Sequence, residues 1–142
     1  RSDAAVRKAV KADERCGWLK TVPGIGDFFA LLIAAEIDDV ERFAKSKHFV
    51  SYTGLVPGRD RSDLVDHPKH IHKRGSKWLR WALVEAAIPA TRSNLALKRL
   101  YDRVCRKRGP KAGPNVAKVA VARKLAEIVY RLLKERRAYE ER

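Results

Sequence analysis

The chain has 142 residues, of which 32 are Lys or Arg and 17 are Asp or Glu, so its formal net charge at pH 7 is +15. This length supports one domain with a real core, and two separate domains would be crowded. A hydrophobic fraction of 45% argues against a disordered basic tail, because the chain has apolar surface to bury. We therefore expect a folded domain with a polyanionic partner, whether DNA, RNA, a ribosome or an anionic membrane.

Targeting signals and cysteines indicate the compartment in which the protein is expected. No apolar run approaches the ~20 residues that a membrane-spanning helix needs, and no signal-peptide pattern is visible. We therefore expect a soluble, cytoplasmic protein. Cys16 and Cys105 do not form a metal-type CxxC pair, so reduced thiols are the default and a disulfide between them is not expected.

The first twenty residues read as one helix. Small apolar residues recur at steps of three and four over residues 4–19, which places them on one helical face. The rest of this helix is polar, so we expect residues 1–20 to connect to a further domain that precedes them, and residues 21–142 to form the domain proper.

Residues 21–26 (TVPGIG) break the first helix, and residues 27–37 follow as an apolar helix that should be buried. The segment 17–37 looks like a helix-hairpin-helix element. Its glycines let the backbone approach a phosphate, and amides at the start of the next helix point toward the anion. Gly24, Ile25 and Gly26 are thus candidate DNA-binding residues. The alternative is that the glycines only make a tight turn between helices.

The remaining elements are also helical. Asp38 and Glu41 resemble a capping box for a short helix over residues 39–45, and a further helix begins near Ser46 and ends at Gly54. A long loop covers residues 55–75. Helices are then predicted from Ser76 until Pro89 interrupts, over residues 94–108, and over residues 116–134 after a turn at 109–114. The fold class is all-α and compact, with a long functional loop and basic C-terminal helices.

The long loop carries a recognisable pattern. It contains GLVP at residues 54–57, a serine five residues beyond the proline, I-x-K-x-G at residues 71–75, and then LRxxLxxAA at residues 79–87. Together these resemble the C-terminal domain of insertion-sequence transposases of the IS110 family, over roughly residues 18–134. Residues 21–142 are accordingly expected to be the C-terminal transposase domain.

The resemblance implies a DNA recombinase whose other half is a resolvase-like nuclease that uses Mg²⁺ and four acidic residues. These 142 residues contain no such pattern, so we expect no cofactor here and no activity from this segment alone. The resemblance also implies assembly of several subunits, DNA as a partner and a possible guide RNA.

The family's C-terminal domain holds a serine that attacks a DNA phosphate, and by spacing that serine matches Ser62. Ile71, Lys73 and Gly75 fall at the family's offsets from it. Two positions depart from the pattern: Asp63 replaces a glycine after the serine, and Lys69 or His70 replaces a glycine before Ile71.

The chemistry of this segment agrees with that role. A serine hydroxyl is a poor nucleophile unless a base takes its proton and cations stabilise the phosphoryl transition state. We assign Lys73 and Arg80 as catalytic cations beside Ser62, and Asp60 or Asp63 either accepts the proton or holds an arginine. The bland alternative for Ser62 is a solvated loop serine. Further DNA-binding candidates near the loop are Arg59, Arg61, Arg74 and Lys77.

Other residues invite weaker hypotheses. His67, His70 and His72 lack a nearby cysteine, so phosphate contact or plain exposure is preferred to a metal site. Trp78 and Trp81, three apart on a helix, are predicted to pack in the core rather than to stack on bases. Glu85 is expected to pair with an arginine.

The C-terminal third is strongly basic, with fourteen Lys or Arg and three Asp or Glu between Lys98 and Arg137. This density predicts neutralisation of phosphates along a duplex or a guide RNA, and the alternative is a solvated helix face. Two functions remain open: a DNA-binding and recombination domain, and a helix-hairpin-helix module that binds DNA or RNA without chemistry. The densest candidates are Arg103, Arg106, Lys107, Arg108 and Lys111.

Overall fold

The computed structural model describes residues 2–55 and 75–140, and every regular element in these ranges is helical. The predicted all-α class is confirmed. The elements are α1 (Ser2–Ala12), α2 (Glu14–Leu19), α3 (Asp27–Ile37), a single 3₁₀ turn (Val40–Arg42), α4 (Ser46–Thr53), α5 (Lys77–Ser93) and α6 (Leu95–Glu135).

The prediction of one helix over residues 4–19 is wrong at Asp13. This residue is extended (φ −119°, ψ 111°), and its carboxylate accepts the backbone N–H of Arg15 to cap α2. The Arg15 guanidinium lies 2.8 Å from the same carboxylate and its hydrogen bond lowers the pKa of Asp13. An aspartate that bonds the local backbone competes with the helix, so α1 ends and the apolar face changes phase. Val10 is buried as a result, whereas Ala5 and Ala12 are exposed.

The core lies where α3 and the second half of α6 pack on α5 and α4. Its largest fully buried side chains include Ile33, Leu83 and Phe49, one from each of α3, α5 and α4. The last predicted helix, over residues 116–134, buries Leu125 and Leu132 in this core. Tyr130 is buried beside them and donates a hydrogen bond to the carbonyl of Phe43 at 2.8 Å.

The helix predicted to stop at Pro89 continues to Ser93. Proline lacks an N–H, so the carbonyl of Glu85 loses its helical donor. Pro89 is exposed, whereas Ala86 and Ala90 on the other face of α5 are fully buried. The packing of that alanine face carries the helix past the proline.

The short elements before the long loop differ in detail from the prediction. The helix expected over residues 39–45 is one 3₁₀ turn, and its cap is Asp39 rather than Asp38. Asp38 instead ends α3 in a positive-φ conformation (64°). The predicted left-handed cap at Gly54 is confirmed, with φ 76°.

The helix α6 bends sharply at Gly109, whose φ of 91° and ψ of 171° are not helical. The predicted turn over residues 109–114 is therefore confined to one residue, and Pro110 already occupies the first helical position of the second segment, where proline is favoured. A Cβ on Gly113 would lie 3.0 Å from the Cα of Cys105, so the two segments fold back against each other. Long as α6 is, neither it nor any other helix in residues 2–55 and 75–140 is apolar enough to span a membrane.

This bend produces a helical arm over residues 98–120. No buried residue between Leu97 and Val121 belongs to the main core cluster, although Gly113, Ala117 and Ala120 are buried. The arm therefore packs largely against itself and extends from the core, with Gly109 at its tip.

The turn between α2 and α3 packs directly on α5 through Gly24. This residue has φ 87°, and a Cβ built on it would lie 2.4 Å from the carbonyl oxygen of Ala86 and 3.1 Å from the Cβ of Ala90. Both the backbone conformation and the lack of space require glycine here.

We predict that Gly24→Ala lowers the free energy of unfolding by about 2–4 kcal/mol, because it combines positive-φ strain with overpacking against α5. Gly17 is the matched control, since it is exposed within α2 and a Cβ there meets nothing within 4 Å. Gly17→Ala should raise the free energy of unfolding by about 0.5–1 kcal/mol. Urea denaturation of both variants checks this, and a loss of less than about 1 kcal/mol for Gly24→Ala would contradict the packing argument.

Candidate nucleic-acid interface

The two glycines in the turn between α2 and α3 have different surroundings. Gly24 is packed against α5, which supports the alternative hypothesis for this residue, that it makes a tight turn between helices. Gly26 is exposed, and a Cβ on it would meet nothing within 4 Å. Ile25 between them is buried in the core, which leaves only its backbone for contact with a ligand.

Gly26 is also the N-cap of α3 and supplies no side-chain acceptor to the first turn. The first amides of a helix have no partner within it. The nearby carboxylate of Asp27 is neutralised by Lys20, whose Nζ lies 2.8 Å away. The start of α3 thus presents backbone donors beside an ion pair rather than beside a free negative charge.

The two ends of the long loop are held together by α4 and α5. The backbone N–H of Ser76 donates to the carbonyl of Tyr52 at 3.0 Å. A Cβ on Gly75 would lie only 2.1 Å from the same carbonyl oxygen, so the chain returns against α4 where only glycine fits. The side chain of Ser76 is the N-cap of α5: its oxygen accepts the N–H of Leu79 at 3.0 Å, and its hydroxyl donates to Glu36.

Arg80 lies at the foot of this loop. Its Nη1 is 2.9 Å from the position that a Cβ on Gly54 would occupy, and the side chain is half-buried. Within the described ranges Arg80 makes no ion pair. Glu85 is exposed, and its expected arginine partner is not found among the same residues. Of the three predicted catalytic residues, Arg80 is thus placed next to the loop.

The other predicted loop residues fall outside the described residues, because they lie between positions 56 and 74. Their roles stay predictions. They are the catalytic candidates Ser62 and Lys73, the binding candidates Arg59, Arg61 and Arg74, the carboxylates Asp60 and Asp63, and the histidines His67, His70 and His72.

The prediction that the two tryptophans of α5 pack in the core is wrong. Trp78 is 53% exposed and Trp81 is 42% exposed. Trp81 meets Phe28 (55% exposed) and the half-buried Phe29 on α3, and Trp78 meets Trp81. We call these four residues the aromatic surface. The buried stripe of α5 consists mainly of alanines together with Leu79 and Leu83, and the tryptophans lie just outside it. The alanines at 82, 86 and 90 are the signal that sequence reasoning missed.

The cations of the arm differ from those nearer the core. Lys98 forms an ion pair with Asp102 at 2.9 Å, one turn away on the same solvent-exposed helix. Lys134 forms an ion pair with Glu41 at 2.9 Å and so joins two elements of the fold. A second group at the bend is entirely exposed and has no carboxylate within 4 Å in the described part of the chain. We call it the basic tip, and it consists of Arg103, Arg106, Lys107, Arg108 and Lys111.

Comparison with known proteins identifies the family of the chain. Residues 16–102 match the sequence profile described as the Transposase IS116/IS110/IS902 family. The chain belongs to this family. The matched span begins in α2 and runs through the turn, the long loop and α5 into the arm, so the resemblance read from the loop motif is confirmed.

Curated members of the IS116/IS110/IS902 family cover nearly the whole chain. It is 31% identical to the transposase for insertion sequence element IS1111A of Coxiella burnetii, over 94% of this chain and 37% of that protein. It is 34% identical to the transposase for insertion sequence element IS1328 of Yersinia enterocolitica, over 83% of this chain and 35% of that one. A pilin gene-inverting protein of Moraxella bovis is 28% identical over 92% of this chain and 40% of its own length. The chain thus spans between a third and two fifths of these relatives.

We predict that Ser76→Ala lowers the free energy of unfolding by about 1–2 kcal/mol, because it removes the cap of α5 and the bond to Glu36 together. The matched control is Ser93→Ala, since Ser93 is exposed and, among the described residues, its hydroxyl makes one hydrogen bond, a long one of 3.5 Å to the carbonyl of Ala90. That variant should change the free energy by less than about 0.5 kcal/mol. Thermal and urea melts measure both, and equal effects would contradict a special role for Ser76.

Proposed function

We propose that the chain is the C-terminal DNA-binding and recombination domain of an IS116/IS110/IS902-type transposase. In this proposal the basic tip and the turn at Gly26 hold DNA phosphates, and Ser62 attacks one of them. The acidic, Mg²⁺-dependent half and the assembly of subunits belong to the longer protein, and no cofactor is assigned to these residues. A guide RNA is a further proposed partner for the same basic surface.

The basic tip is the observation that carries the binding proposal. A helix face that only meets water usually mixes both signs of charge, as Lys98 with Asp102 and Lys124 with Glu127 do here. Five exposed cations within nine residues repel one another and gain nothing from the fold. A polyanion removes that repulsion, and release of its counterions supplies affinity.

The arm also holds the basic tip at a distance from the core. The segment from Lys98 to the bend at Gly109 is helical, and Tyr101 is its last residue packed against the core before the bend. At 1.5 Å per residue the bend therefore lies about 12 Å beyond the core. The contact between Gly113 and Cys105, together with Pro110 at the first position of the second segment, fixes the angle of the bend. Long side chains at such a tip reach phosphates without any rearrangement of the core.

The turn offers a second phosphate contact that does not depend on side chains. With no Cβ at Gly26, a DNA strand can approach the first amides of α3 closely. The ion pair between Lys20 and Asp27 removes the carboxylate that would otherwise repel the strand. Such a contact is independent of DNA sequence, because it engages only the phosphate.

The chemical step proposed for Ser62 is a transesterification. Its Oγ bonds to the phosphorus of a DNA phosphodiester, the bond from phosphorus to the leaving deoxyribose oxygen breaks, and that oxygen takes up a proton. Asp60 or Asp63 accepts the hydroxyl proton, and Lys73 with Arg80 stabilises the charge on the phosphate. The family match across this segment and the position of Arg80 at the foot of the loop support the assignment.

The alternative is a module that binds DNA or RNA without chemistry. Asp63 favours it, because the family's pattern has glycine there and a carboxylate beside the serine repels a phosphate. The binding experiment below applies to both readings, and the recombination experiment separates them.

We expect duplex binding with little sequence preference and with an affinity that falls steeply as salt rises. Replacing Arg106, Lys107 and Arg108 together by Gln should lower the slope of log affinity against log salt concentration by about 2–3, since each phosphate contact contributes about 0.9. Fluorescence anisotropy with a labelled 20-base-pair duplex at several salt concentrations measures the slope.

The control variant replaces Arg7, Lys8 and Lys11 of α1 by Gln. These three residues are exposed, so the net charge changes by the same amount at a different place. It should reduce the slope by less than about 1. Equal slopes in the two variants would show that only net charge matters, and a flat response in the wild type would rule out phosphate-dominated binding.

In the longer protein, Ser62→Ala should abolish strand joining and the covalent protein–DNA adduct, with duplex affinity near that of the wild type, because one loop hydroxyl contributes little to stability. Ser62→Cys should retain a trace of activity, since a thiolate is also a nucleophile. Arg80→Gln should slow the reaction by about tenfold or more by removing a cation from the phosphate. Recombination at wild-type rate in Ser62→Ala would leave the domain as a binding module.

A further inference from the structure

The aromatic surface has an ordered geometry. The rings of Phe28 and Trp81 are 6.5 Å apart between centroids and nearly perpendicular, at 78°. Trp81 meets Phe29 at 5.5 Å and 86°, and it meets Trp78 at 6.3 Å and 89°. Edge-to-face contacts of this kind hold aromatic side chains in fixed orientations. The surface is therefore a preformed set of rings rather than a group of loose side chains.

The exposed aromatic residues are concentrated on this surface. Of the large hydrophobic residues that the described ranges leave exposed, Phe28, Trp78 and Trp81 are the aromatic ones, and the aliphatic ones, Leu95 and Val119, lie on α6. The end of α5 at Ser93 lies about 18 Å along the helix axis from Trp81, and Leu95 follows it in α6. A contiguous exposed patch of large apolar side chains marks a binding site more often than chance exposure does.

Charge decides which partner suits the surface. The Nζ of Lys77 lies 5.7 Å from the ring centroid of Trp78, and the carboxylate of Asp27 is paired with Lys20. Glu85, one turn beyond Trp81, is the remaining acidic side chain along that face of α5. A second copy of the chain would bring another formal charge of +15 toward the first, so long-range repulsion disfavours it. A polyanion is attracted.

We propose that the aromatic surface stacks unpaired bases of a single-stranded nucleic acid. Flat π-faces beside cations form the usual platform for single strands, because every base has a face to stack. Phe28 is the second residue of α3 and follows the amides at Gly26 directly, so a strand whose phosphate lies at the turn places its neighbouring bases against the rings. This inference rests on the proposed function, since it assigns the same partner a second contact.

The test compares two oligonucleotides of equal charge. One is an eight-residue oligothymidylate, and the other is an eight-residue abasic strand with the same number of phosphates. The wild-type chain should bind the strand with bases at least tenfold more tightly, and Trp78→Ala should reduce this preference about fivefold or more, in line with the loss of stacking on one ring. Trp78→Phe keeps a π-face and should retain most of the preference.

Leu95→Ala is the matched control, because it removes comparable exposed apolar surface (Leu95 is 59% exposed) without removing a ring. It should leave the preference unchanged. Melting curves confirm that each variant is folded, and because Trp78 is more than half exposed we expect it to fold normally. Phe28→Ala provides a second ring deletion if Trp78→Ala does not fold.

Three results would overturn the proposal. The first is equal binding of the two strands by the wild type, and the second is an unchanged preference in the ring deletions. The third is a lower mass of Trp78→Ala in sedimentation together with an unchanged preference, which would assign the surface to a second copy. Steep salt-dependent duplex binding in the same preparation would show that the proposed function stands even where this inference fails.

Discussion

The close approach of Gly24 to α5 is the contact on which the arrangement of the molecule depends. With no Cβ at this position, the turn rests on the backbone of Ala86 and beside Ala90, and α3 follows at the distance that buries its apolar face. That distance also brings Glu36 within hydrogen-bonding reach of Ser76, which caps α5 at the return of the long loop. A larger residue at position 24 would therefore disturb two places at once, the turn itself and the foot of the loop.

Much of the fold could be predicted from the sequence, and the errors have a common cause. Periodicity and capping residues predict helix in every helical region, but the helix boundaries depend on the balance between local signals and packing, which the sequence alone does not reveal. Asp13 was read as helical, although its carboxylate bonds the backbone two residues on and ends α1. Pro89 was read as a stop, although the buried alanines opposite it carry α5 onward. The spacing of the two tryptophans on a helix predicts that Trp81 packs in the core, whereas alanines with Leu79 and Leu83 form the buried stripe of α5 and leave the rings outside.

The candidate site was less predictable, because its parts come together only in three dimensions. Gly24 and Gly26 give the same signal in the sequence, yet one has no room for a side chain and the other has open space. Only the position of α5, sixty residues further along, separates them. The contact of Arg80 with Gly54 is likewise invisible in one dimension, although the motif had already singled out Arg80. The assignment of Ser62 depends on spacing alone and stays a prediction.

The distribution of charge explains how so basic a chain retains a stable core. Two cations near the core have carboxylate partners: Lys20 pairs with Asp27, and Lys134 bridges to Glu41, a residue distant in sequence. The cations of the basic tip have no such partners in the described ranges and lie at the end of the arm, where water and salt screen their repulsion. Because no buried residue between Leu97 and Val121 belongs to the main core cluster, a polyanion that engages the tip changes the charge environment of the arm without displacing side chains of that cluster. Binding at the tip and stability of the core are thus largely independent, and the two segments of α6 that meet at Gly109 are the structural link between them.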